Sequence, residues 1–292
     1  MLELRGVHKT YGEVAALDGA SFSARPGRIL GFLGPNGAGK TTAMRSIFGL
    51  IKPETGTITW NEEPVTPDVR LTFGYMPEER GLYPKMRARE QLVHFGRLSG
   101  LGSRAGEAAD GWLLRLGLGD RGDAKVEQLS HGNQQRIQLA AALVHDPVVA
   151  VLDEPFSGLD PLGIDALSAV LRELANRGVA IVFSSHQLDL VEDVSEDVAI
   201  IDRGRIVLAG TLDELRARSQ TRRLEIVVDG MPWSPDLAGI ELVTNQGRPH
   251  YVVNADADVG EILEMAGAAG RLDRFAFEPP RLSDLFREAL TR

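Results

Sequence analysis

Gly34 to Thr41 reads GPNGAGKT, which matches G-x-x-x-x-G-K-[ST] at every fixed position. The chemistry of that spacing is phosphate binding. Gly34, Gly37 and Gly39 let the backbone curl so that successive N–H groups point inward at an anion, with Pro35, Asn36 and Ala38 completing the loop. Lys40 can reach β- and γ-phosphates, the Thr41 hydroxyl can ligate Mg²⁺, and Thr42 follows it into a helix. An acidic pair, Asp153-Glu154, ends the apolar run Val148–Leu152. An Asp at the carboxyl end of a buried strand stands where parallel sheets bind ligands and can hold Mg²⁺. Glu154 beside it can polarise a water for hydrolysis. The bland alternative for this pair is a capping carboxylate ahead of Pro155. His186 lies just past another apolar run, in VAIVFSSH, where a neutral imidazole could donate to a γ-phosphate. Finally, LSHGNQQRIQLAAALVHDP (129–147) opens with a turn-like Ser-His-Gly and becomes a helix. A hydroxyl, a Gly turn and a helix N-terminus make a second anion site; an ordinary helix cap is the competing reading.

The elements that must position these groups are legible as periodicity. Arg28–Leu33 is an apolar run feeding the loop, and TTAMRSIFGL after it is helix-compatible. Gly56–Trp60 and Phe73–Met76 read as short strands, and 87–118 as a polar, helical region broken by glycines. Val148–Leu152 and Val179–Phe183 are continuous apolar runs, as in strands covered on both faces, with an amphipathic helix over Leu162–Asn176 between them. This alternation predicts a mainly parallel α/β sheet. Strands at Asp197–Asp202 and Arg205–Ala209 and a helix to about Arg218 close the first half. Beyond Ser219–Arg223 come strand-like LEIVVD, IELVTN and HYVVNA, a helix VGEILEMAGAAG, a strand RFAFEP and a last helix LSDLFREAL. They form a separate α+β unit of about 70 residues.

The 292 residues suit one large domain and one small one. A net charge of −9 argues against nucleic-acid binding, which needs clustered Lys and Arg. The absence of cysteine excludes disulfides and thiolate sites. MLELRGVHKTYG has no apolar segment of a secretory signal, and no apolar run approaches the ~18–20 residues of a membrane span. A membrane role therefore needs another chain.

Tyr11, GPNGAGKTT, LSHGNQQR, VVAVLDEP, SGLD and His186 occur in one order, and together they resemble the nucleotide-binding subunit of an ATP-binding cassette (ABC) transporter over residues 1–218. EERGLYPKM, the LSHGNQQR form and the appended unit, with its tail EPPRLSDLFREAL, resemble the ABC-2 type subclass. The resemblance implies a P-loop NTPase cassette at 1–218. Its parts are a mainly parallel core sheet, N-terminal antiparallel strands and a helical subdomain at about 87–147, with an α+β accessory domain at 219–292. It also implies an ATPase that uses ATP and Mg²⁺.

By the same resemblance LSHGN is the signature motif, in which Ser130, Gly132 and Asn133 clamp the γ-phosphate of ATP held by a second cassette. The partners implied are an identical or sibling cassette and a separate integral membrane permease, with no nucleic acid. The chain would then sit in the cytoplasm at the inner face of the cell membrane, docked on the permease near GYMPEERGLYP and 87–118 and driving export of drugs, ions or glycans.

Tyr11 would stack on adenine, Asp160 of SGLD would link the two sites, and Lys40, Glu154 and His186 would be catalytic. Three departures stand out. Glu78, with Glu79 as the neighbouring choice, replaces the usual glutamine of the segment that approaches Mg²⁺ beside Thr41 and Asp153. His131 replaces a glycine, and Asn133 replaces a glutamine. The other histidines, His8, His94, His145 and His250, read as ordinary surface or core residues. Three rival readings are weaker. A soluble ABC ATPase of DNA repair or translation needs a long coiled coil or a second cassette. A regulatory ATP-binding module would not need Glu154. A metabolic P-loop kinase would not need LSHGNQQR or His186.

Overall fold

The computed structural model describes residues 1–233, 241–245 and 248–291. Two compact units divide the chain, Met1–Gly210 and Thr211–Arg292. The division follows Gly210 rather than Arg218, because the helix at 212–218 packs on the last helix of the second unit.

The first unit begins with β1 (Leu2–Tyr11), β2 (Val14–Ala24), β3 (Ile29–Leu33), α1 (Lys40–Ile47), β4 (Thr55–Trp60), β5 (Glu63–Pro64), α2 (Pro67–Arg70) and β6 (Phe73–Met76). The helices α3 (Ala88–Leu98), α4 (Ala105–Arg115) and α5 (His131–Leu143) follow. Then come β7 (Val149–Leu152), α6 (Pro161–Asn176), β8 (Ala180–Ser184), α7 (Leu188–Val194), β9 (Asp197–Asp202) and β10 (Arg205–Thr211). The core sheet has the order β10-β9-β3-β8-β7-β6, and the pairs β9–β3, β3–β8, β8–β7 and β7–β6 are parallel. Every residue of β3, β7 and β8 is buried. That is why they read as apolar runs: α5, α6 and α7 pack on one side of the sheet and α1 with a second sheet on the other, so neither face needs polar residues. A second, antiparallel sheet, β2-β1-β4-β5, packs on the core sheet and α1 through Leu2, Leu4, Phe22, Phe32 and Met44, with the Phe22 and Phe32 rings stacked at 4.8 Å. Among the described residues no helix is long and apolar enough to cross a membrane.

The amino end of the core sheet is tied by charge. Asp197, nearly buried at the start of β9, receives forked hydrogen bonds from Arg25 and Arg28 at 2.6–3.1 Å. Asp197→Ala removes that carboxylate from two guanidiniums that remain 44% and 35% exposed. Solvent therefore screens part of the loss. The expected cost is about 1–3 kcal/mol, read as a lower urea midpoint at unchanged slope; an unmoved midpoint would mean the forks do not stabilise the sheet.

The second unit contains α8 (Leu212–Arg218), β11 (Thr221–Val228), β12 (Met231–Pro232), β13 (Glu241–Asn245), β14 (Arg248–Asn254), α9 (Val259–Ala269), β15 (Leu272–Glu278) and α10 (Leu282–Thr291). Ile240, the first residue of the predicted strand IELVTN, lies outside the described residues. All pairings are antiparallel, with β11 between β14 and β15. Leu224, Ile226, Val228, Tyr251 and Val253 pack with Ile262 and Ala266 of α9 as a core of their own. Arg223 and Glu225, alternating with those apolar residues along β11, pair at 2.6 Å, and Arg274 meets Glu225 at 3.0 Å. The hydrogen bond from Arg223 holds the Glu225 carboxyl below its usual range.

Candidate functional site

The site forms at the carboxyl ends of the core strands. β3 runs into the Gly-rich loop, and α1 starts at Lys40. Gly39 sits at φ +111, and a Cβ there would strike the Ala16 carbonyl. A Cβ on Gly34 would strike the Ile201 carbonyl, so both positions need glycine for the loop to close. Ala38 is buried beneath the loop, with its N–H on the Pro35 carbonyl at 3.2 Å. Lys40 folds over the loop and donates through Nζ to the carbonyls of Gly34 (2.7 Å) and Pro35 (3.1 Å). Burial pushes its ammonium below the ordinary lysine range, while Glu154, Asp153 and Glu78 pull it back up.

Asp153 is almost fully buried at the end of β7. Its Oδ2 accepts from Thr41 Oγ1 at 3.0 Å and its Oδ1 from Ser184 Oγ at 2.6 Å. The Ser184 hydroxyl also accepts the Glu154 N–H at 2.9 Å, so one serine spans the acidic pair. Glu154 itself adopts φ +51, a left-handed conformation unfavourable for a side-chain-bearing residue. Its Oε2 meets His186 Nδ1 at 3.0 Å. Burial pushes the Glu154 carboxyl above its usual range, and His186 and Lys40 oppose that shift. While Glu154 is ionised it only accepts hydrogen bonds, so the proton of this contact then lies on Nδ1, and the Nε2 of a neutral ring is an acceptor. To donate to a phosphate through Nε2, His186 must carry two protons or release Glu154.

A cleft of about 320 Å³ is lined by Asn36, Gly37, Gly39, Lys40, Thr41, Thr42, Glu78, Asp153 and Glu154, with Ala16 from β2. Glu78, not Glu79, faces this cleft; the Glu79 carbonyl accepts from Gln138 instead. His186 joins the group through Glu154. Tyr11 does not line the cleft; it is 50% exposed at the end of β1, with Lys9 Nζ 5.4 Å from its ring centre. Ser130, Gly132, Asn133 and Asp160 also lie outside it. Ser130 caps α5 by accepting the Asn133 N–H at 3.3 Å. His131, which follows it, contacts the Arg80 guanidinium through Nδ1. Asp160 caps α6 by accepting the Gly163 N–H at 2.9 Å, with Arg136 3.7 Å away.

Sequence reasoning passed over Ser184, Gln135 and Gln138. The signal for Ser184 was a hydroxyl closing an otherwise apolar buried strand, since a buried hydroxyl needs a partner. Gln135 stood in the polar run NQQR and Gln138 between Ile137 and Leu139, and neither setting marked it as a residue with a buried partner.

The ABC transporter family pattern matches residues 17–157, and that of the C-terminal domain of DrrA1-3-like ATP-binding proteins matches 210–290. An uncharacterized ABC transporter ATP-binding protein of Bacillus subtilis (strain 168), YhaQ, is 38% identical over 99% of this chain and 98% of its own length. Nod factor export ATP-binding protein I of Burkholderia orbicola (strain AU 1054) is 33% identical over 98% of this chain and 95% of its own. A solved ATP-binding subunit of an ABC transporter superposes with a TM-score of 0.69 at 30% identity, covering 75% of this chain and 92% of that one. The chain belongs to the ABC transporter family as an ATP-binding, ATP-hydrolysing subunit of ABC-2 type with a DrrA-like C-terminal domain.

Proposed function

We propose that two such cassettes pair head to tail around ATP and Mg²⁺, and that their closing and reopening drive a separate membrane permease in export. The observation that carries this reading is the split in the site. Loop, lysine and carboxylates converge on one cleft, while the Ser130 end of α5 lies outside it. A helix N-terminus that serves no group of its own cleft suits a nucleotide held by another cassette.

In that arrangement the loop N–H groups and Lys40 hold the β- and γ-phosphates and stabilise charge on the transferring phosphoryl. Glu154 orients the attacking water and takes its proton, which its raised pKa favours. His186 steadies Glu154 through Nδ1 and, when it carries both ring protons, donates through Nε2 to the γ-phosphate. The metal site fits the residues present: Thr41 Oγ1 and Asp153 Oδ2 meet at 3.0 Å, a pair of hard oxygen donors, with Glu78 on the same cleft. Magnesium typically takes few protein ligands and completes its shell with phosphate and water. When bound, it supplies positive charge at the phosphate oxygens. Tyr11, exposed beyond the cleft, is free to stack on adenine. Asp160, at the start of α6, links the paired sites.

The permease docks beside Glu78 and the 87–118 helices and holds the cassette at the inner face of the cell membrane. Tyr83 supports this surface: it is 52% exposed although its ring lies against Phe95 and His94, with centres 6.3 and 6.0 Å apart. The relative that exports Nod factor supports the outward direction of transport.

The test is Ser130→Arg in a Glu154→Gln background. ATP with Mg²⁺ is expected to double the mass of Glu154→Gln alone by light scattering and to leave the double variant monomeric at unchanged ATP affinity. An ATP-dependent dimer that survives Ser130→Arg would refute the trans role of the α5 end.

A further inference from the structure

The face of α5 turned toward the sheet carries two buried amides one turn apart, Gln135 and Gln138, 5% and 4% exposed. Gln135 Nε2 donates to the carbonyls of Glu154 (3.0 Å) and Pro155 (3.2 Å). Gln138 Nε2 donates to the carbonyls of Pro77 (2.6 Å) and Glu79 (3.3 Å), which flank Glu78. Two carbonyls face each amide, so the atom turned toward them is the NH₂ group. Each glutamine thus grips one of the two segments that bring a carboxylate to the cleft. Both segments contain a proline, Pro77 or Pro155, which has no N–H to offer a strand ladder.

A second link lies at the start of the same helix. Arg80, two residues after Glu78, donates through Nη1 to Gln134 Oε1 at 2.9 Å and contacts His131 through Nη2. Gln134 in turn donates to the carbonyls of Val126 and Leu129, both at 3.0 Å, just ahead of Ser130. The Glu78 segment is therefore attached to α5 near its first residue and again midway along it.

We infer that Gln135 and Gln138 are positioning residues that couple the seating of the Ser130 helix end on a partner's nucleotide to the placement of the chain's own Glu154 and Glu78. The inference rests on the paired-cassette reading proposed above. A helix held by internal hydrogen bonds moves as a rod, so a shift at its Ser130 end displaces the carbonyls its glutamines hold. Each site is then sensitive to whether its own chain's signature is engaged at the other. Hydrolysis at the two sites becomes cooperative without contact between the nucleotides.

The test uses the full-length chain with Gln135→Leu and Gln138→Leu, which keep much of the volume and remove the donors, and Gln135→Met and Gln138→Met as second variants should a leucine disturb folding. Turnover, KM, ATP affinity and the Hill coefficient are measured, with circular dichroism as the check on folding. The expected result is a turnover lower by roughly 10- to 100-fold, the scale of a carboxylate displaced by about 1 Å. ATP affinity stays unchanged, and the Hill coefficient falls from above 1 toward about 1, its ceiling being about 2 for two sites. Folded variants with wild-type turnover and cooperativity overturn the inference. So does parallel loss of turnover and affinity at an unchanged Hill coefficient, which marks a merely structural role, and so does failure of every variant to fold. Glu154→Gln separates the two layers. If it does not dimerise with ATP, the paired-cassette reading fails first; if it does, and the glutamine variants behave as wild type, only the coupling fails.

Discussion

Glu154→Gln is expected to lower ATP turnover by roughly 10²–10⁴-fold, the range set by loss of a positioned general base. Nucleotide binding should survive, because the groups proposed to hold phosphate, Lys40 and the loop N–H groups, are untouched. The variant should accumulate as an ATP-bound dimer with a lifetime far beyond one wild-type cycle. Burial raises the carboxyl of Glu154 in the fold. A carboxyl so raised favours folding at low pH, and that contribution is lost as pH rises through its folded value. Glutamine carries no charge to desolvate, so the variant should be at least as stable as wild type at neutral pH, with the margin shrinking as pH falls. In wild type, the acid limb of the pH–turnover profile should lie above the ordinary carboxylate range. Turnover within threefold of wild type would remove Glu154 from the chemistry.

Lys40→Ala is the second large effect. It removes the ammonium that lines the cleft. Turnover should fall by roughly 10²–10³-fold, or about 2.7–4 kcal/mol of transition-state stabilisation. Unlike Glu154→Gln, it should also weaken ATP binding by about tenfold or more, since charge-assisted hydrogen bonds to phosphate are lost in the ground state too. Titration calorimetry separates the two variants. Glu78, Asp153 and Glu154 would then face one another without that cation, and the Glu154 carboxyl, which Lys40 helps to hold down, should rise further. The sign follows: Lys40→Ala should lose stability as pH rises toward neutral and regain it as pH falls. Wild-type affinity in this variant would mean that the ammonium does not touch the nucleotide.

What could be read in the sequence was what local spacing encodes. GPNGAGKT is a contiguous loop, and Asp153-Glu154 and His186 follow buried strands whose apolar runs announce two covered faces. Long-range hydrogen bonds left no such mark. Ser184 meets Asp153 across 31 positions and Gln138 meets Pro77 across 61, and nothing in either residue's neighbourhood names its partner. The boundary after Gly210 was hidden for a similar reason. Leu212 and Leu215 announce that α8 buries one face, but periodicity does not say against which unit. Glu78 was legible as a departure from the expected glutamine, and its place on the cleft became clear once β6 and β7 lay side by side.

The left-handed backbone of Glu154 bears on how this protein would respond to selection. A glycine relieves such a conformation by about 1–2 kcal/mol, and an uncharged residue is also spared burial of charge. Screens that reward heat resistance alone should therefore enrich Glu154→Gly and Glu154→Asn, and the survivors would be durable proteins that no longer turn over ATP. Any programme to harden this subunit needs a turnover assay beside the melting curve, or it will optimise the catalyst out of the molecule.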